Sequence, residues 1–79
     1  MANPALVKHG QEQRERIMAF VHAFVASNGY SPSLHEIGAH IGVASVSATR
    51  NHLLRLQKDG RIRLQRGRPR GIEIVREGS

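Results

Sequence analysis

The 79-residue chain contains no cysteine and no tryptophan, and only one tyrosine and two phenylalanines. Without cysteine, no disulfide or thiolate-bound metal braces the fold, a usage that fits a reducing compartment. Three aromatics, Phe20, Phe24 and Tyr30, make a poor platform for stacking the bases of RNA or single-stranded DNA. No run of 18 apolar residues occurs, and the N-terminus lacks the basic, apolar, small-residue succession of a secretory signal. The expectation is a soluble, cytoplasmic chain with no membrane partner. At this length one domain with one small core is the maximum.

A catalytic set is missing too. Glu12, Glu15 and Glu36 fall on separate surfaces or at a helix cap. No Ser/His/Asp arrangement and no Gly-rich phosphate loop stands out. There are five histidines, but His35 and His40 are five apart, off one helix face, and no cysteine or carboxylate pair joins them. The expectation is a non-enzyme with no cofactor, no metal and no small-molecule ligand.

Negative charge is scarce where positive charge is dense. Residues 1–49 hold three Lys/Arg and three Asp/Glu, whereas residues 50–79 hold nine and three. The whole formal charge of +6 therefore lies in the C-terminal part. A solubility surface does not require such segregation; a polyanionic partner, nucleic acid or an anionic surface, does.

The apolar periodicity supplies the frame. Residues 1–10 contain Pro4 and Gly10 without a clear period, and read as a flexible arm. From Gln11, the residues Ile17, Phe20, Val21, Phe24 and Val25 form one helical stripe, ended by Ser27-Asn28-Gly29. Ser33-Leu34-His35-Glu36 is an S-x-x-E capping box opening a short helix with Leu34, Ile37 and Ile41, closed by Gly42. Gly38, inside it, costs about 1 kcal/mol relative to Ala and implies close approach by another helix. Ser45 is a natural N-cap for a third helix, 45–59, in which Val46, Thr49, Leu53 and Leu56 share one side. After Gly60 the period changes to two: Arg61-Ile62-Arg63-Leu64 and Gly71-Ile72-Glu73-Ile74 flank a loop, 65–70, and form a β-hairpin with Ile62, Leu64, Ile72 and Ile74 facing the helices.

This order predicts a mainly α fold with a small β-hairpin: a three-helix winged helix-turn-helix over 11–76, followed by a tail, 77–79. In such a fold the second helix of the pair enters the DNA major groove. Its polar face here is Ser47, Ala48 and Asn51, flanked by Arg50 and Arg55. Arg pairs bidentately with guanine and Asn with adenine, while Ala meets a thymine methyl. Asn51 has the central position, and Arg50, on the flank, reaches a base or a phosphate. Ser45 caps the helix and adds a phosphate donor beside its amides. Arg55 and Lys58 are phosphate neighbours. Arg66, Arg68 and Arg70 on the wing are candidate backbone or minor-groove contacts. Leu54 falls on the polar side and suits a thymine methyl or a partner surface.

The stretch from Asn28 to Val75 resembles the N-terminal DNA-binding domain of the LexA repressor family. The resemblance rests on Gly29, Pro32-Ser33, Glu36-Ile37, Ile41-Gly42, Ser45, His52-Leu53 with Leu56, Lys58 with Gly60 and Ile62, and Arg70-Gly71-Ile72. It implies a winged helix that binds double-stranded DNA as a bacterial or phage-like, nucleoid-associated regulator, most simply a repressor. The chain stops just past the wing, so the self-cleaving peptidase domain of such repressors, which carries their main dimer contact, is expected to be absent. A homodimer on paired half-sites, or a partner domain, would then supply further specificity. Where the best-known relatives present Asn, Ala and two acidic residues, this chain has Ser47, Ala48, Arg50 and Asn51. The resemblance therefore implies the same docking face and a different operator. Two other uses of the fold compete: an excisionase-like recombination or replication accessory that bends DNA, and a protein-interaction module.

Overall fold

The computed structural model describes residues 4–75. Three helices precede a hairpin: α1 (Pro4–Asn28), α2 (Leu34–Ile41), α3 (Val46–Lys58), β1 (Ile62–Leu64) and β2 (Ile72–Ile74). The apolar stripes meet in one cluster. Ile17, Met18 and Val21 come from α1, Ile37 and Ile41 from α2, Leu53 and Leu56 from α3, and Ile62 from β1. Phe20, Val25, Leu34, Val43, Leu64, Ile72 and Ile74 pack half-buried around it. A fully buried aliphatic side chain is worth about 1.5–3 kcal/mol, so so small a core depends on every element delivering its share.

One boundary differs from the sequence reading. Helix α1 begins at Pro4, seven residues before Gln11, and Gly10 lies inside it. Proline is compatible with a first helical position, because that N–H has no intrahelical partner to lose. Once the stripe from Ile17 has nucleated a helix, each residue added backwards gains one hydrogen bond for one residue fixed, without the cost of a new nucleus. Residues 1–3 of the expected arm, and the tail 77–79, lie outside the described residues.

The turns follow the expected chemistry. Ser33 Oγ accepts the Glu36 N–H at 3.2 Å, and Glu36 Oε1 accepts the Ser33 N–H at 2.8 Å, which completes the capping box. Gly29, Gly42 and Gly60 have φ of 79°, 75° and 79° and follow the three helices. Gly38 is a site of close approach: a Cβ there would sit 2.9 Å from Val43 O and 3.0 Å from Thr49 Oγ1. The anticipated neighbour is thus α3, together with the turn leading to it.

The polar side chains of α1 contribute a tie that periodicity does not suggest. Gln13, 8% exposed, lies 3.5 Å from Ile41 O through Nε2. Arg16 donates to Gln13 Oε1 at 3.0 Å and to His40 O at 3.2 Å. The unpaired carbonyls at the end of α2 are thereby satisfied from α1. The His40 ring stacks on Phe20, with centroids 4.2 Å apart and planes at 15°.

In the hairpin, Ile62 pairs with Ile74, Arg63 with Glu73 and Leu64 with Ile72, antiparallel. Ile62 is buried, and Leu64, Ile72 and Ile74 are half-buried against the core, while Arg63 and Glu73 share the outer face. Alternation with period two puts the apolar side chains on one face.

Candidate nucleic-acid interface

Helix α3 is anchored on one side and open on the other. Thr49, Leu53 and Leu56 are each 1% exposed. Thr49 also donates to Ser45 O at 3.2 Å. Val46, expected on this side, is 40% exposed, because the first turn extends past the core. Ser45 is the N-cap, its Oγ accepting the Ala48 N–H at 3.2 Å. Ser47, Arg50, Asn51, Leu54, Arg55 and Lys58 are exposed, and Ala48 is half-buried.

Between α3 and the wing runs an open groove of about 670 Å³. Arg50, Leu54 and Gln57 form its helix wall, and Leu64, Arg66 and Arg68 line the wing side. Arg50 therefore stands on the wing-facing flank of α3. Leu54, 46% exposed, is part of the same wall. Gln57 spans the groove's base: its Oε1 accepts the Leu64 N–H at 2.7 Å. This residue was absent from the sequence-based site. Seven positions separate it from Leu64, and no local pattern announces a side chain that substitutes for a third strand.

The cations divide into two groups. Arg61 grips the Glu15 carboxylate through both terminal nitrogens, the longer contact being 3.3 Å. Arg55 Nε lies 3.3 Å from Asp59 Oδ1, with both side chains about half exposed. Such an exposed pair is worth about 0–1 kcal/mol, so Arg55 can exchange it for another anion. Arg70 is tied to the start of α2. Although it belongs to the wing loop, its Nη1 donates to Glu36 Oε1 at 2.6 Å and to Ser31 O at 3.1 Å. Arg50, Lys58, Arg66 and Arg68 have no ion pair with a carboxylate among the described residues. Three of these four border the groove.

Two carboxyl groups feel these ties. The Glu36 pKa is lowered from 4.5, first by the Ser33 backbone N–H and next by Arg70. Glu15 is lowered chiefly by its hydrogen bonds with Arg61. Each carboxylate is paired with an arginine, and neither lines the groove. No group of three or more His, Cys, Asp or Glu arranged for a metal occurs among the described residues. No described helix is long and apolar enough to cross a membrane.

A capped helix with an open polar face, set by a tight turn against a second helix and beside a basic-tipped hairpin, defines a winged helix-turn-helix of the DNA-binding class. The family profile described as the LexA DNA binding domain matches residues 8–71. The chain belongs to that family. It is 42% identical over 67 residues to a LexA repressor of Shouchella clausii, covering 85% of this chain and 32% of the relative. Identity to the Bacillus subtilis LexA repressor is 48% over 61 residues, 77% of this chain and 30% of that one. A LexA repressor from Exiguobacterium is 41% identical over 69 residues, covering 87% and 34%. The chain thus spans about a third of the length of the curated relatives it matches.

Proposed function

We propose that the chain binds a specific double-stranded DNA site as a transcriptional repressor, occupying an operator so that polymerase is excluded. The observation that carries this reading is the groove in which Arg50 of α3 faces Arg66 and Arg68 of the wing. A phosphate strand fits between those walls, with α3 in the major groove and the wing over the adjacent minor groove.

The side chains then take distinct roles. Asn51, with Ser47 and Ala48, reads base edges from the outer face of α3. Arg50, on the wing-facing flank, binds a phosphate at the groove or a guanine at its edge. Ser45 and the amides of the first turn face a phosphate. Arg55 and Lys58 reach the backbone near the helix end. Leu54 gives the groove wall an apolar patch that suits a sugar or a thymine methyl.

A single module of this size buries about 600–1,000 Å² of protein surface on DNA. A second copy on a paired half-site supplies the remaining specificity. Selection of bound duplexes from a random pool tests the reading, and a palindromic motif is the expected product. On the selected site, Asn51→Ala is expected to cost about 1–3 kcal/mol and to relax preference at one base pair. Recovery of no motif, or unchanged preference in the variant, would sink the assignment.

A further inference from the structure

We propose that Arg70 is a positioning residue of the wing: it clasps the start of the second strand to the N-terminus of α2 and thereby aims Arg66 and Arg68. The proposal rests on the DNA-binding reading above for its consequence, but not for its geometry.

The wing has little to hold it. Each strand is three residues long, and an isolated two-stranded hairpin is marginal in water. Of its apolar residues, only Ile62 is among the fully buried core. Leu64, Ile72 and Ile74 pack half-buried against that core, and polar ties at the wing's foot add direction to this non-directional contact. Ser31, 6% exposed, donates from Oγ to Arg70 O at 2.6 Å and accepts the Ile72 N–H at 3.4 Å. Arg70 answers with Nη1 to Ser31 O at 3.1 Å and to Glu36 Oε1 at 2.6 Å. Its guanidinium carbon lies 4.9 Å from the Tyr30 ring centroid and 5.9 Å from that of Phe24, both within cation–π range. The next residue, Gly71, has no room for a Cβ, which would meet Gln65 O at 2.8 Å and Arg68 O at 3.1 Å. The loop's foot is thus pressed flat where Arg70 holds it.

The same Glu36 oxygen accepts from Ser33 N–H and from Arg70. The capping box of α2 and the wing clasp are therefore one structure, and the angle between them is set by one carboxylate. A guanidinium within cation–π range of two rings and hydrogen-bonded to a carboxylate and a carbonyl is held by the fold from several sides. A lysine at the position would keep the charge, but would lose the planar guanidinium beside the Tyr30 and Phe24 rings and its fixed donor geometry.

That difference separates a clasp from a phosphate contact. The chain has no cysteine, so Ala39→Cys on α2 and Arg66→Cys at the wing tip, both exposed, can carry a pair of spin labels. In the free protein, the label distance is expected to be narrowly distributed, and to broaden in both Arg70→Lys and Glu36→Gln. The second variant retains a capping residue and guards against loss of fold. On the selected duplex, without labels, Arg70→Lys is expected to weaken binding about tenfold and to flatten the salt dependence as Arg66→Gln/Arg68→Gln does. In that double-variant background Arg70→Lys is expected to add nothing. An unchanged label distribution in both variants overturns the proposal, as does a full additive loss in the double-variant background. If the parent chain binds no duplex, the DNA-binding reading fails while the label distances still decide the clasp.

Discussion

Helix α3 and the wing both offer exposed arginines, yet they are held in place by different forces. Thr49, Leu53 and Leu56 sink α3 into the core. The wing buries Ile62 fully and Leu64, Ile72 and Ile74 by half, and is further held by directional ties from Gln57, Ser31 and Arg70. Apolar burial is non-directional and contributes several kcal/mol in total, whereas a hydrogen bond nets about 0.5–1.5 kcal/mol but specifies an angle. The element proposed to read bases is thus the firmly seated one. The wing, which carries exposed arginines, is oriented by bonds that are individually small in energy.

The sharpest way to break this contrast is at the core. Leu53→Ala is expected to cost about 2–5 kcal/mol and to unfold helices and wing together, as read by thermal melting. A selective loss of the wing signal would show that the wing is not built on that core. Gly38→Ala comes next. Its Cβ must push Val43 O and Thr49 Oγ1 from 2.9 and 3.0 Å, so a destabilisation of about 1–3 kcal/mol by chemical denaturation is expected. A neutral result would mean that the α2–α3 approach relaxes freely.

On the wing side, Arg66→Gln/Arg68→Gln is expected to leave the melting temperature within error. It should reduce the slope of log K against log salt by about 0.9 per lost phosphate contact. An unaltered slope would remove the wing tip from the interface. The smallest effect concerns pH. Glu36 has a folded pKa below its ordinary 4.5, so its stabilisation is complete above that value and is lost as pH falls through the depressed one. Melting temperatures of the parent chain and Glu36→Gln are expected to differ at neutral pH and to converge as pH falls below 4.5 and through the depressed pKa. A gap that persists into acid would show that the difference does not come from ionised Glu36.

Much of the frame was legible from residue order. The capping box at Ser33, the N-cap at Ser45, the glycines after each helix and the change from a helical to a two-residue period are local signals. They act over a few residues, where sequence and structure nearly coincide. The start of α1 is masked in the sequence because Pro4 and Gly10 resemble breakers, although proline opens helices and a neighbouring stable helix can absorb one glycine. Arg70 was grouped with Arg66 and Arg68 by its place in a basic loop. Its partners Ser31 and Glu36 lie 39 and 34 residues away, and no local pattern carries that pairing.

By itself, then, the sequence determined the element order, the faces that turn inward and the cations available to a polyanion, because burial periodicity, capping and charge are written residue by residue. Only the tertiary structure decided which cations border the groove and which pair with a carboxylate. Arg50, Arg66 and Arg68 come to border one opening, while Arg61 and Arg70 close on Glu15 and Glu36. That division depends on how helices and hairpin pack, since a charge finds its partner through space and not along the chain.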